Sequence, residues 1–321
     1  MCFRVKDINK YTIDESYKQS FLNIKNDIEY SVAMDNIEKN FNEEIVKEIC
    51  KLLYRFKFAT KDQIISVVNQ KYYIDDKFNF KELSNLNFIK EFILVKEFVD
   101  CDYDRNEDNT IYAIGPNGVN LIIDYIQKDV PRWEFKNISR GAQQVIKHIQ
   151  VVDICINMIE SFKSYNIVKY SVGPIQRRAL GNKIDIDFEW SIDDKIRKNF
   201  LVLIIRNSDL KESFNQKVFK LEQFLSEKGK WRYDYIDIAK RPQIIFICED
   251  EENMKLVARK LRGSSLNKDT LLIFTYDLLL KENLLKNYNA LKVYTEDRNN
   301  LKGYEILKED LILDKEYVFN N

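Results

Sequence analysis

Between residues 42 and 127 the spacing of the apolar residues changes twice, and this constrains the fold more than any other stretch of the 321-residue chain. Ile45, Val46, Ile49, Leu52, Leu53 and Phe56 recur every three or four residues, one stripe of a helix that Asn42 opens. Thr60, with Gln63 three residues on, is a capping box and starts a short second helix carrying Ile64, Ile65, Val67 and Val68. A third helix is expected over about 78–87, with Phe80, Leu83 and Leu86 inward and Lys77, Asn79, Lys81, Glu82 and Asn85 outward. The period then becomes two. Strands are expected over 92–99 and 110–114, joined by the polar stretch 100–109. Pro116 opens a further helix through Val119, Ile122, Ile123 and Ile126, because its fixed φ and missing N–H suit a first turn.

Three helices, a two-stranded ribbon and a closing helix make the order of a winged helix-turn-helix. Such a domain puts its third helix into a DNA groove and lays its ribbon beside it. Lys77, Asn79, Lys81 and Asn85 have the residue types for that work: lysine for phosphate or guanine, asparagine for adenine.

The flanks read less sharply. Residues 1–40 are expected to be a helical extension, with Tyr17, Phe21, Ile24 and Ile28 at helical spacing over about 14–31. Pro131 marks a boundary. Beyond Ser139 a long helix carries Val145, Ile149, Val152, Ile156 and Ile159, a core helix in preference to a dimer seam. Strands are expected over 167–172, 183–190 and 200–206, then a helix over 213–227. A strand at 243–248, a helix at 251–261, a strand at 271–274 and a short helix near 277–283 follow. From Tyr288 the chain shows only weak alternation, at Val293 and Tyr294. The domains expected are 1–40, 41–130, 138–285 and a tail, 286–321.

Charge bears on partners. The chain carries 51 basic and 51 acidic side chains, unevenly spread. Residues 132–241 hold 21 basic and 14 acidic, a balance of +7, whereas residues 40–131 hold 12 and 16, a balance of −4. A polyanion is drawn first to the middle of the chain, and the helical head needs a local patch. The five cysteines, Cys2, Cys50, Cys101, Cys155 and Cys248, are scattered and never spaced as C-x-x-C, as expected of free thiols in a reducing compartment. No apolar run approaches the ~20 residues of a membrane span, and the N-terminus lacks an apolar signal core. A cytoplasmic location is expected.

Four stretches carry a resemblance to a known family. They are Arg55-Phe56-Lys57-Phe58-Ala59-Thr60-Lys61-Asp62-Gln63-Ile64, Leu86-Asn87-Phe88-Ile89, Ala113-Ile114-Gly115-Pro116-Asn117-Gly118 and His148-Ile149-Gln150-Val151-Val152-Asp153-Ile154. With the helix–strand–strand–strand–helix–strand order after residue 140, the chain resembles the replication-relaxation family of Gram-positive mobile elements. The resemblance implies an α+β chain, an N-terminal winged helix-turn-helix followed by an α/β restriction-endonuclease-like domain. It also implies a role in plasmid replication or mobilisation.

A nuclease of that fold needs an acid opening its second strand and an Asp/Glu-x-Lys on its third, so that two carboxylates hold a divalent metal. Asp185, Asp187 and Glu189 alternate along the second strand. The third reads Phe200-Leu201-Val202-Leu203-Ile204-Ile205-Arg206-Asn207 and offers no acid; Asp209 lies beyond its end. A degenerate, non-catalytic fold without cofactor is therefore expected, and no catalytic residue is assigned; Asp185 and Asp187 are weak metal candidates. Arg177, Arg178 and Lys183, in the loop between the first two strands, suit phosphate oxygens or a solvated turn equally. His148, the single histidine, is expected to be a core residue, as are Trp133, Trp190 and Trp231. The expected function is non-catalytic DNA binding, with double-stranded DNA as partner, replication or conjugation proteins as further partners, a homodimer as one assembly, and no membrane. A metal-dependent nuclease using Asp185 and Asp187, or a protein-interaction adaptor, is the alternative.

Overall fold

The computed structural model describes residues 16–22, 28–96, 110–125, 130–164, 169–173, 186–191, 197–226, 243–266, 272–277, 292–296 and 301–305. The chain is mixed α and β and divides into two compact units, Met1–Ile156 and Asn157–Asn321.

In the first unit, strand β1 (Tyr17–Phe21) precedes helices α1 (Tyr30–Asn40) and α2 (Glu43–Phe56). A three-residue strand β2 (Phe58–Thr60) leads into α3 (Lys61–Val68) and α4 (Phe80–Asn85). Strands β3 (Ile89–Lys96) and β4 (Ile111–Ile114) follow, then α5 (Pro116–Tyr125) and α6 (Ala142–Ser164). The four strands form an antiparallel sheet in the order β1-β3-β4-β2. Ile89 to Phe92 pair with Ile114 to Ile111, and Phe92 to Lys96 pair with Phe21 to Tyr17.

Local chemistry sets the helices. The Asn42 side chain accepts the Glu44 N–H, and Glu43 and Glu44 complement the positive end of the α2 dipole. Thr60 and Gln63 form the capping box of α3 in both directions. One face of the sheet packs Phe58, Phe92, Leu94, Ile111 and Ala113 against Ile138, Ala142, Val145, Ile146 and Ile149. The first turns of α6 therefore complete the first unit. That is why the units divide at 156–157, inside α6, whereas the sequence marks a boundary at Pro131. His148 sits here, half-buried, its ring edge-on to Phe58 with centroids 5.6 Å apart. Trp133 packs beside the same cluster, and its indole N–H donates to the Ile114 carbonyl at 3.0 Å.

The helix expected over 14–31 is corrected. Residues 17–21 are strand β1, and α1 begins at Tyr30; residues 23–27, with Ile24, lie outside the described residues. Tyr17 and Phe21, four apart, fit a helical stripe, yet both pack on the sheet cluster with β1 paired to β3. Gln19 explains the attachment: its Nε2 donates to the Ile138 carbonyl at 3.1 Å, and its Oε1 accepts the Arg140 N–H at 2.8 Å. No local periodicity encodes contacts to residues more than a hundred positions away.

The second unit is a seven-stranded sheet, built from β5 (Lys169–Gly173), β6 (Ile186–Ser191), β7 (Arg197–Ile205), β8 (Gln243–Cys248), β9 (Leu272–Tyr276), β10 (Lys292–Glu296) and β11 (Leu301–Glu305). Its order is β11-β10-β9-β8-β7-β6-β5. β7, β8 and β9 run parallel, and the remaining pairs are antiparallel. Helices α7 (Asn207–Glu212) and α8 (Phe214–Ser226) link β7 to β8, and α9 (Glu251–Leu261) links β8 to β9. Phe214, Leu221, Met254 and Val257 pack on Leu201, Leu203, Phe246 and Phe274 in one apolar cluster. Val202, Ile204, Ile245, Ile247 and Ile273, which alternate with those strand residues, are buried too, so the central strands read as continuous apolar runs. β10 and β11 carry this sheet to Glu305, into the stretch expected as a tail beyond 285.

Candidate nucleic-acid interface

The candidate surface is built around α4. Its start is fixed by Asn79, whose Oδ1 accepts the Glu82 N–H at 3.0 Å. The helix therefore begins at Phe80, two residues later than the apolar spacing suggests, and Lys77 and Asn79 belong to the preceding turn. In that turn the Asp75 carboxylate accepts the Lys77 N–H at 3.0 Å, and Lys61 Nζ donates to the Asp76 carbonyl at 2.9 Å.

The end of α4 is held by the start of α5. Asn87 takes φ 60°, a left-handed turn that asparagine tolerates. Its carbonyl accepts the Asn117 N–H at 3.0 Å, and the Phe88 carbonyl accepts the Gly115 N–H at 2.9 Å. Asn117 Nδ2 donates to the Leu86 carbonyl at 2.8 Å. A Cβ at Gly115 would lie 2.2 Å from Asn87 O, and one at Gly118 would lie 2.3 Å from Phe88 O. Glycine is required at both positions by close backbone approach. Residues 86–89 and 115–118 thus lock together and orient α4. Below them the rings of Phe78, Phe80 and Tyr112 step from the turn to β4, with centroids 5.1 Å apart at each step.

Phe80, Leu83 and Leu86 are buried, and Lys77, Asn79 and Lys81 are exposed. Asn85 is half-buried. Three of the five residues expected outward are therefore exposed. Asn79 uses its carbonyl oxygen to cap α4, and its amide hydrogens remain for a ligand. The lysines do not form a clean basic patch, because Asp75 and Asp76 are exposed beside them and Glu82 is half-buried. Residues 100–109, expected as the tip of the ribbon, lie outside the described residues.

Arg177, Arg178, Lys183 and Asp185 also lie outside the described residues. Asp187 is on β6, in register with Leu201 on β7 and Gly173 on β5, and Glu189 is in register with Asn199 and Ser171. Neither is in register with an acid on the neighbouring strands. Asp209, just beyond the end of β7, is occupied. Its Oδ2 accepts the Arg206 N–H at 3.1 Å, and its Oδ1 accepts Ser213 Oγ at 3.1 Å and the buried Lys217 ammonium. Among the described residues no three His, Cys, Asp or Glu side chains converge on a common point suited to a metal ion.

Sequence reasoning missed two features of this unit. Arg206 and Asp277, both buried, pair across the end of β8; the only trace in sequence is a charge at each strand end. Glu249 accepts the Asn207 N–H at 3.0 Å and ties the ends of β7 and β8. In the first unit the missed residue is Tyr73, 83 % exposed in the turn before α4. Among the described residues no helix is long and apolar enough to cross a membrane.

No family model, curated protein or solved structure matches the chain.

Proposed function

We infer that the first unit is a winged helix-turn-helix and that the protein binds double-stranded DNA without catalysis. The observation that carries this reading is the pairing of β2 with β4: the short strand between α2 and α3 closes the sheet beside the β3–β4 ribbon. That connectivity, with α4 leading directly into the ribbon, is the framework in which a short helix is offered to a groove. Exposed Lys77 and Lys81 supply phosphate contacts, and Asn85 has the donor–acceptor pair that reads adenine. β1 lies along the far edge of β3, so the ribbon is braced on the side away from β4. The second unit, with three antiparallel strands followed by parallel β8, supports the restriction-endonuclease-like reading. The engaged Asp209 and the non-acidic partners of Asp187 favour a non-catalytic version. The likeness to replication-relaxation proteins points to replication or mobilisation of a mobile element as the setting.

Anisotropy of a labelled random duplex, titrated with the full chain at low and high salt, tests the reading. Binding that weakens steeply with salt supports it, and no binding at low salt rejects it. One observation favours a second reading, a protein-interaction adaptor: Asp75, Asp76 and Glu82 stand among the lysines. The same titration decides between the two. Nicking of supercoiled plasmid in magnesium or manganese, lost in Asp187→Asn, would instead restore the nuclease.

A further inference from the structure

A cleft of about 650 Å³ opens between the start of α2 and the turn into α4. This is within the size range of small-molecule sites, about 300–1,000 Å³. Ile45 and Ile74 form a buried floor, and the rings of Phe41 and Phe78 meet edge-on above it, 5.7 Å apart. Tyr73 stands at the rim with its ring in water. An aromatic ring left out of the core beside an apolar cleft is placed to cover a planar guest.

The polar lining has a defined pattern. Asn42 and Asn79 both reach the cleft, and each spends its Oδ1 on a helix N–H, that of Glu44 or of Glu82, at 3.0 Å. Capping fixes the plane of each amide, and neither NH2 group has a hydrogen-bond partner among the described residues. Among the described residues Asp75 and Glu82 add acceptors and Lys77 the single cation, so two carboxylates stand with one lysine and a phosphate is disfavoured inside. Oriented donors, acceptors and ring surfaces in one cleft are what an unstacked base requires for stacking and for reading of its edge.

We propose that this cleft binds a purine or pyrimidine base, stacked on Tyr73 and read at its edge by Asn42, Asn79 and Glu82. The base comes either from a free nucleoside or from an unpaired position of a single strand. The inference does not need duplex binding, although Lys77 and Asn79 are common to both surfaces.

The test titrates the full chain with adenosine, cytidine and thymidine by calorimetry, and with a short labelled single strand by anisotropy. Tyr73→Ala and Glu82→Gln are compared with the unaltered protein. Tyr73 is exposed, so its removal leaves the fold intact, which circular dichroism verifies. Saturable binding that Tyr73→Ala weakens about 5-fold or more is expected, with Glu82→Gln changing the preference among bases. Nucleoside binding identifies a free effector, and binding of the strand alone identifies a strand-borne base. Absence of saturable binding in both arms, or equal affinity for the unaltered protein and Tyr73→Ala, overturns the proposal. Duplex anisotropy on the same samples separates it from the duplex reading, since either can fail while the other survives.

Discussion

Gln63 and Asp153, 90 residues apart, are joined by a 2.6 Å hydrogen bond in which the amide Nε2 donates to the carboxylate. The same nitrogen donates to the Ile149 carbonyl at 2.9 Å, and the amide oxygen accepts the Thr60 N–H at 3.0 Å. One side chain therefore caps α3 and fastens it to α6. Glutamate caps equally well in an isolated helix, but Gln63→Glu sets a carboxylate against Asp153 and the Ile149 carbonyl. A loss of about 1–3 kcal/mol at pH 7 is expected, because the donor to two acceptors is gone. Burial and the Asp153 charge raise the pKa of the new carboxyl above its unfolded value, so the folded state keeps the proton longer. The deficit is smallest below about pH 4.3 and widens as pH rises. Urea midpoints of variant and parent at pH 4 and pH 7 check this.

Gly118 lies in α5, where alanine alone would stabilise a helix by about 1 kcal/mol. The Phe88 carbonyl, 2.3 Å from the added Cβ, reverses the sign. Gly118→Ala is expected to cost about 1–3 kcal/mol. Gly141→Ala meets nothing within 4 Å and is expected to stay within about 0.5 kcal/mol of the parent. Chemical denaturation of the two variants side by side shows whether backbone approach or helix propensity governs the junction that aims α4.

The Arg206–Asp277 pair is buried on both sides, with side-chain exposures of 11 % and 5 %. Asp277→Ala strands a buried guanidinium and is expected to cost about 3–5 kcal/mol, whereas Arg206→Met with Asp277→Leu costs far less. A double-mutant cycle by urea unfolding measures the difference.

Burial pushes the thiols of Cys50, Cys155 and Cys248 well above the ordinary range. None of the three is expected to react with a thiol reagent at pH 8 in the folded protein, and all three react in denaturant, as peptide mapping would show. An acid whose folded pKa is raised contributes stability below its unfolded pKa and loses it above. The melting temperature is therefore expected to fall as pH climbs past about 8.5.

The elements most legible in sequence carry their own period and caps. For α2 the stripe and Asn42 suffice, and α9 has Asp250 accepting the Asn253 N–H at 2.8 Å. β8 was legible as a short apolar run between polar flanks. What escaped depends on distant partners. β1 is a strand because β3 and Ile138 receive it, and β10 exists through pairing with β9. At the candidate surface the residue types were readable, but the division of labour was not. An asparagine suits a helix cap and an adenine alike, and only the bond from the Glu82 N–H assigns Asn79 to the cap.

The salt dependence of duplex binding, compared between the unaltered chain and Lys77→Ala/Lys81→Ala, tests most directly whether α4 and its turn face DNA. Each lysine that neutralises a phosphate contributes about 0.9 to the slope of log affinity against log salt. The double variant is expected to bind more weakly across all sequences, with a slope lower by nearly 2 if both lysines contact phosphate. An unchanged slope and affinity in the variant would contradict the placement of DNA on this surface.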